Sequence, residues 1–140
     1  MSLNGDLREH FNNEMLQFAK KNQKNFLKQH KRAFQEICKE LSEVEEVIFT
    51  MFAEEYTMDG RPGPWHVGVA VSNERVFLCG ETVSGRMFTR YVMDVFKREE
   101  IDFIRLENKN IVFGTSRGKV ALKGENIEYL VQEVQKVLEQ

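Results

Sequence analysis

Two prolines, two cysteines and one tryptophan are all that 140 residues contain of these types. So few prolines exclude a proline-rich linker or recognition tract. Cys38 and Cys79 fall in different predicted elements and form no C-x-x-C pair, which argues against a zinc ribbon or a thioredoxin-like motif. Free thiols in a reducing compartment are the plain reading, and one disulfide between them stays open because a sequence carries no distances. His10, His30 and His66 have no metal-ligand spacing with one another or with the cysteines, so no metal or other cofactor is expected. No apolar run approaches the ~20 residues of a membrane span. Residues 1–20 are polar and broken by Asn12 and Asn13, unlike a signal peptide, so the cytoplasm is the expected location. Charge of neither sign dominates: the formal net charge is −2, and nucleic acid is not expected as a partner.

What is present is a globular composition, 41% hydrophobic and rich in Phe, in a chain the size of one domain. Leu7, Phe11, Met15 and Phe18, then Phe26, Ala33, Ile37 and Leu41, recur at helical steps and predict helix over 6–43. One helix, or two with a break near Asn22, both fit. Residues 1–43 thus read as an N-terminal helical extension to a domain spanning 44–140.

From Val44 to Lys123 the pattern turns to strands. Val47 to Phe52 is β-branched and aromatic, and Asp59 to Pro64 has the chemistry of a loop. Trp65–Val71 and Arg75–Cys79 flank a turn, Gly80 to Gly85 reads as a loop, and Arg86 to Val95 as a weakly patterned strand. Ile101–Leu106, Ile111–Phe113 and Lys119–Leu122 complete about seven short strands. The chain closes on an amphipathic helix whose stripe is Ile127, Leu130, Val131, Val134, Val137 and Leu138. The predicted class is mainly β with flanking helices: an antiparallel β-barrel of about seven strands, with the last helix over one end.

Three stretches carry a resemblance: Val67 through the Ser72-Asn73-Glu74 turn to Leu78, Phe96 to Ile104, and Ile111 to Val120. With the order of seven strands and one C-terminal helix, they resemble bacterial pleckstrin-homology (PH) domains, most nearly the YokE-like family, over about residues 44–139. The resemblance implies a PH-like barrel that binds or assembles and does not catalyse. Phosphoinositide binding of the eukaryotic kind is not implied. The unit that would carry its basic motif holds Glu54, Glu55 and Asp59 against Arg61 alone, which repels a multiply charged phosphate.

The candidate sites are sparse. Met15 to Gln35 lacks acidic residues, and Lys20, Lys24, Lys28, Lys31 and Arg32 fall on one helical arc. Such an arc can lie on an anionic membrane, or it can be a solvated face whose apolar stripe packs on the barrel. Trp65 beside a Pro/Gly loop can anchor an interface or close one end of the core. Gly114 to Lys119 superficially resembles a phosphate loop, but it is one residue short and joins two strands, so a hairpin is expected. His10 and His30 are expected on the surface, and Cys79 as a small core residue. Glu54 and Glu55, adjacent on a regular strand, would face opposite sides and could not act as a pair. No constellation of nucleophile, base or metal emerges, so no enzyme is expected. The expected function is a module that meets protein partners or copies of itself as a homo-oligomer. The alternative is a peripheral membrane module docked through residues 15–35.

Overall fold

A computed structural model describes residues 16–17, 19–21, 23–84 and 88–139. The expected helix before residue 16, with His10, lies outside these residues. Helical backbone at 16–17 and 19–21 and helix α1, Lys28–Glu40, are separated by a non-helical stretch over 23–27. Seven strands follow: β1 Val47–Met58, β2 Arg61–Ser72, β3 Arg75–Ser84, β4 Phe88–Lys97, β5 Ile101–Glu107, β6 Asn110–Thr115 and β7 Gly118–Lys123. A 3-10 turn, Arg98–Glu100, joins β4 to β5, and helix α2, Ile127–Leu138, ends the chain.

Two expected loops are strand instead. The β1–β2 connection is a tight turn in which Asp59 and Gly60 both adopt positive φ, so pairing resumes at Arg61. Such a two-residue turn matches the twist of the strands it joins. Gly80 lies inside β3, which pairs with β4 without irregularity through to Ser84. The Gly114–Lys119 segment is a hairpin, β6 and β7 joined through Ser116 and Arg117.

Every pairing is antiparallel, and the strand order is β4-β3-β2-β1-β7-β6-β5. The edge strands β4 and β5 are consecutive in sequence, yet no ladder joins them, so the sheet is open. Side chains nonetheless reach across from strands that are not neighbours. The Tyr56 hydroxyl on β1 donates to the Asp94 carboxylate on β4, and Arg117 donates to the Val95 carbonyl and lies 4.1 Å from the Phe96 ring.

The sheet buries both faces. On the inner face Phe49, Met51, Val69, Val71, Leu78, Phe113 and Leu122 pack together, as alternate residues of their strands must. Helix α2 adds Ile127, Leu130, Val131 and Val134, the stripe expected from its spacing. On the outer face α1 lays Ala33, Phe34 and Ile37 onto Phe52, Ala70, Phe77 and Cys79. The apolar stripe of α1 therefore packs on the sheet.

Candidate functional site

A cleft of about 640 Å³ opens where the 23–27 stretch crosses the sheet. Its walls are Asn25, Leu27 and His30 on one side, Phe52 to Glu55 of β1 below, Trp65 and His66 of β2 beside them, and Lys123 to Glu125 at the far end.

Two interruptions of the ladder explain why these residues share a cavity. The β1–β2 register shifts between Glu55 and Thr57, and the β2–β3 register shifts between Trp65 and Gly68. His66, inside the second shift, has φ +50. A bulge breaks the alternation of a strand and re-aims its side chains. Trp65 and His66, which a regular strand would point apart, therefore line one cleft. The backbone approaches closely here: a Cβ at Gly63 would sit 2.4 Å from the Tyr56 carbonyl oxygen, and one at Gly80 would sit 2.7 Å from Pro64 Cβ. Glycine is the residue that permits both approaches.

Glu54 and Glu55 correct an expectation. The inward residues of β1 run Phe49, Met51, Ala53 and then Tyr56. The step of three after Ala53 breaks the alternation, and both residues line the cleft. Glu55 stands opposite Trp65 on one side and opposite Lys123 on the other.

His30 corrects another. It is buried, not on the surface. The Leu27 N–H donates to its Nδ1 at 3.1 Å, and its Nε2 lies 3.0 Å from the Ala53 carbonyl oxygen. Only the neutral ring with its proton on Nε2 satisfies both contacts. Burial, with His66 close by, lowers its pKa, although the Ala53 carbonyl opposes the shift. The rings of His30 and His66 meet edge to face at 5.5 Å, and His66 Nδ1 lies 2.7 Å from Glu81 Oε1.

The wall over 23–27 is held by side chains on main chain. Buried Gln23 donates from Nε2 to the Phe52 carbonyl at 2.6 Å and accepts the Phe52 N–H at 2.8 Å, as a neighbouring strand would. Glu125 Oε1 accepts the N–H groups of Lys24 and Asn25 at 2.6 and 2.7 Å. Nothing in the local sequence around Gln23 announces this role. The dense turn chemistry of Pro62-Gly63-Pro64 was a signal of irregularity in β2, but not of its consequence for Trp65.

Lys20, Lys24, Lys28, Lys31 and Arg32 are all exposed. Arg32 lies 3.9 Å from Glu36 and 5.4 Å from the Tyr91 ring, and Lys20 lies 5.4 Å from the Phe26 ring. Among the described residues, Lys24, Lys28 and Lys31 have no carboxylate within ion-pair distance. Trp65 is 48% exposed at the mouth of the cleft.

Burial pushes the Cys79 thiol up to about 12, with Glu36 adding to the shift, which favours the protonated thiol. Cys38 and Cys79 are both buried, and no disulfide joins them. Burial and then its bond to Asp94 push the Tyr56 hydroxyl far above its ordinary value. Among the described residues no group of His, Cys, Asp and Glu could hold a metal ion. No helix among them is long and apolar enough to cross a membrane. Comparison with protein-family models finds no match, and comparison with curated proteins finds none.

Proposed function

We propose that the chain is a non-catalytic, PH-like binding or assembly module that meets a protein partner or a second copy through the cleft beside Trp65. The strand order and the terminal helix support the PH-like reading, in which the sheet is rolled into a barrel with a seam between β4 and β5. The observation that carries the function is Trp65 itself. A large aromatic left 48% exposed beside a concave site is the usual anchor of a protein interface. A buried neutral His30, satisfied by Leu27 and Ala53, has the geometry of a tether and not of a general base.

The alternative is a peripheral membrane module, favoured by the exposure of Lys20, Lys24, Lys28, Lys31 and Arg32. Sedimentation with anionic and neutral vesicles at two salt concentrations separates the two. The protein is expected to stay in the supernatant with both. Pelleting of most of it with anionic vesicles at physiological salt, reversed by high salt, would overturn the protein-binding reading in favour of the membrane.

A further inference from the structure

Four arginines of the described structure sit between an aromatic ring and a carboxylate. Arg32 lies 5.4 Å from the Tyr91 ring and 3.9 Å from Glu36. Arg75 lies 4.7 Å from the Phe77 ring and pairs with Glu45. Arg105 lies 4.2 Å from the Phe103 ring and pairs with Glu107. Arg117 lies 4.1 Å from the Phe96 ring and 3.9 Å from Glu100. A guanidinium is planar and weakly hydrated, so its face can cover a ring while its edge donates to a carboxylate.

The cleft offers a ring and a carboxylate with no cation between them. Trp65 is half exposed and stands opposite Glu55 in the β1–β2 register, and both line the cleft. Residues so placed across antiparallel strands have Cβ atoms about 5 Å apart. Among the described residues, neither Glu54 nor Glu55 has a cation within ion-pair distance, and none lies over the Trp65 ring. Lys123, opposite Glu55 on the other side, does not pair with it. The lining sets Glu54, Glu55 and Glu125 against Lys123 alone, and Lys24 and Lys28 are not part of it. Glu125 is already engaged, its Oε1 accepting from the Lys24 and Asn25 N–H groups. The uncompensated charge is that of Glu54 and Glu55.

We infer that the cleft takes an arginine side chain of a protein partner, its guanidinium laid on the Trp65 indole and paired with Glu55, with Glu54 adding to the attraction. This deepens the protein-binding reading and rests on it. At about 640 Å³ the cleft is larger than one side chain and has room for residues flanking the arginine, against exposed Leu27.

The probe is a short peptide of alternating arginine and glycine, with lysine and citrulline counterparts. None contains tryptophan, so the emission of Trp65, the sole tryptophan of the chain, reports the site directly. The arginine peptide is expected to change that emission saturably. Citrulline keeps the shape and loses the charge, and should bind about tenfold or more weakly. Lysine should fall between them, since an ammonium cannot stack and fork at once. Glu55→Gln, and Trp65→Leu read by polarisation of a labelled peptide, should each weaken binding about tenfold. Lys123→Gln should tighten it, which a merely structural part for Lys123 would not do. If Glu55→Gln fails to fold, Glu54→Gln at an exposed position takes its place.

No saturable change at millimolar peptide overturns the inference. So does citrulline binding as tightly as arginine, or binding indifferent to both the Glu55 and Trp65 substitutions. A chain that is dimeric by light scattering, with mass and Trp65 emission unmoved by the arginine peptide, gives the cleft to a second copy and overturns it too. The vesicle experiment bears on the protein-binding reading itself, so the two failures are told apart.

Discussion

The inner face of the sheet buries Phe49, Met51, Leu78, Phe113 and Leu130, with Tyr56 as its polar member. The N-terminal side of the molecule is built differently. Beside Phe34 and Ile37 it buries the amide of Gln23, the imidazole of His30 and the carboxylate of Glu45. Glu45 accepts from the Ser42 N–H at 3.0 Å, from the Ser72 hydroxyl at 2.7 Å and from the Arg75 guanidinium, whose Nη2 also donates to the Glu40 carbonyl at 3.1 Å. That clamp ties the end of α1 to the β2–β3 turn. One face coheres by area removed from water, which is non-directional and tolerant. The other coheres by directed bonds, each costly when one partner is lost. The cleft lies at the directed side, where a change in one tether can alter its shape.

This contrast is sharpest at Leu130, fully buried under α2. Leu130→Ala should cost about 3–4 kcal/mol in a urea titration, since it loses both transfer energy and packing. Lys136→Ala, on the exposed side of the same helix, should change stability by under about 0.5 kcal/mol. Equal effects would mean that the stripe of α2 does not face the sheet.

Glu45→Ala comes next. Burial works against ionisation of Glu45, but Arg75, the Ser42 N–H and the Ser72 hydroxyl outweigh it and hold the carboxyl below its ordinary range. Removing the carboxylate strands Arg75, which is 30% exposed and can partly rehydrate. A loss of about 2–3 kcal/mol at neutral pH is therefore expected, below the full cost of breaking a buried pair. The same loss should develop in the wild type only below pH 4.5, as the carboxyl protonates. An Ala variant as stable as the wild type at pH 7 would show the clamp to be ornamental.

Gln23→Ala should cost less, about 1–2 kcal/mol, by leaving the buried N–H and carbonyl of Phe52 without their partner. The effect should be local. Hydrogen exchange should speed up at Phe52, Lys24 and Asn25 while the amides of β6 keep their protection. Uniform acceleration through the sheet would mean that the two faces open together and are not separate in stability.

What the sequence disclosed follows the same division. Steps of three and four placed the stripe of α2, and β-branched runs placed the strands, because burial of area leaves a periodic trace. The tethers leave none. Gln23 reaches Phe52 at a separation of 29 residues and Glu125 at 102, and nothing near residue 23 records either. His30 read as a surface residue for the same reason: a polar side chain is buried by whatever partner the fold brings to it. The cleft failed to show because it depends on register shifts at Glu55 and His66, and a bulge depends on the strands beside it as much as on its own residues. Trp65 was legible as a candidate, since a lone tryptophan next to Pro and Gly is conspicuous in any context.

The smallest expected effect concerns pH at the directed side. In the folded chain His30 is neutral, with Nδ1 accepting from Leu27. Protonation would turn that acceptor into a donor facing another donor at a buried site. Burial thus lowers its pKa from the ordinary 6.5, aided by nearby His66, while the Ala53 carbonyl, Glu81 and Glu125 pull the other way. The unfolded chain takes up its proton near 6.5, and the folded chain resists until lower pH. Between those values the unfolded state binds more protons, so stability is full above 6.5 and declines as pH falls toward the folded value. Urea titrations of the wild type and His30→Phe at pH 7.5 and 5.5 should show a decline in the wild type that is smaller in the variant. The subtraction matters because His66, paired with Glu81, faces the same cleft and is common to both chains. A variant with the same decline as the wild type would place the proton uptake elsewhere, and would leave His30 as a packing residue like the aromatic rings of Phe26 and Phe52 that flank it.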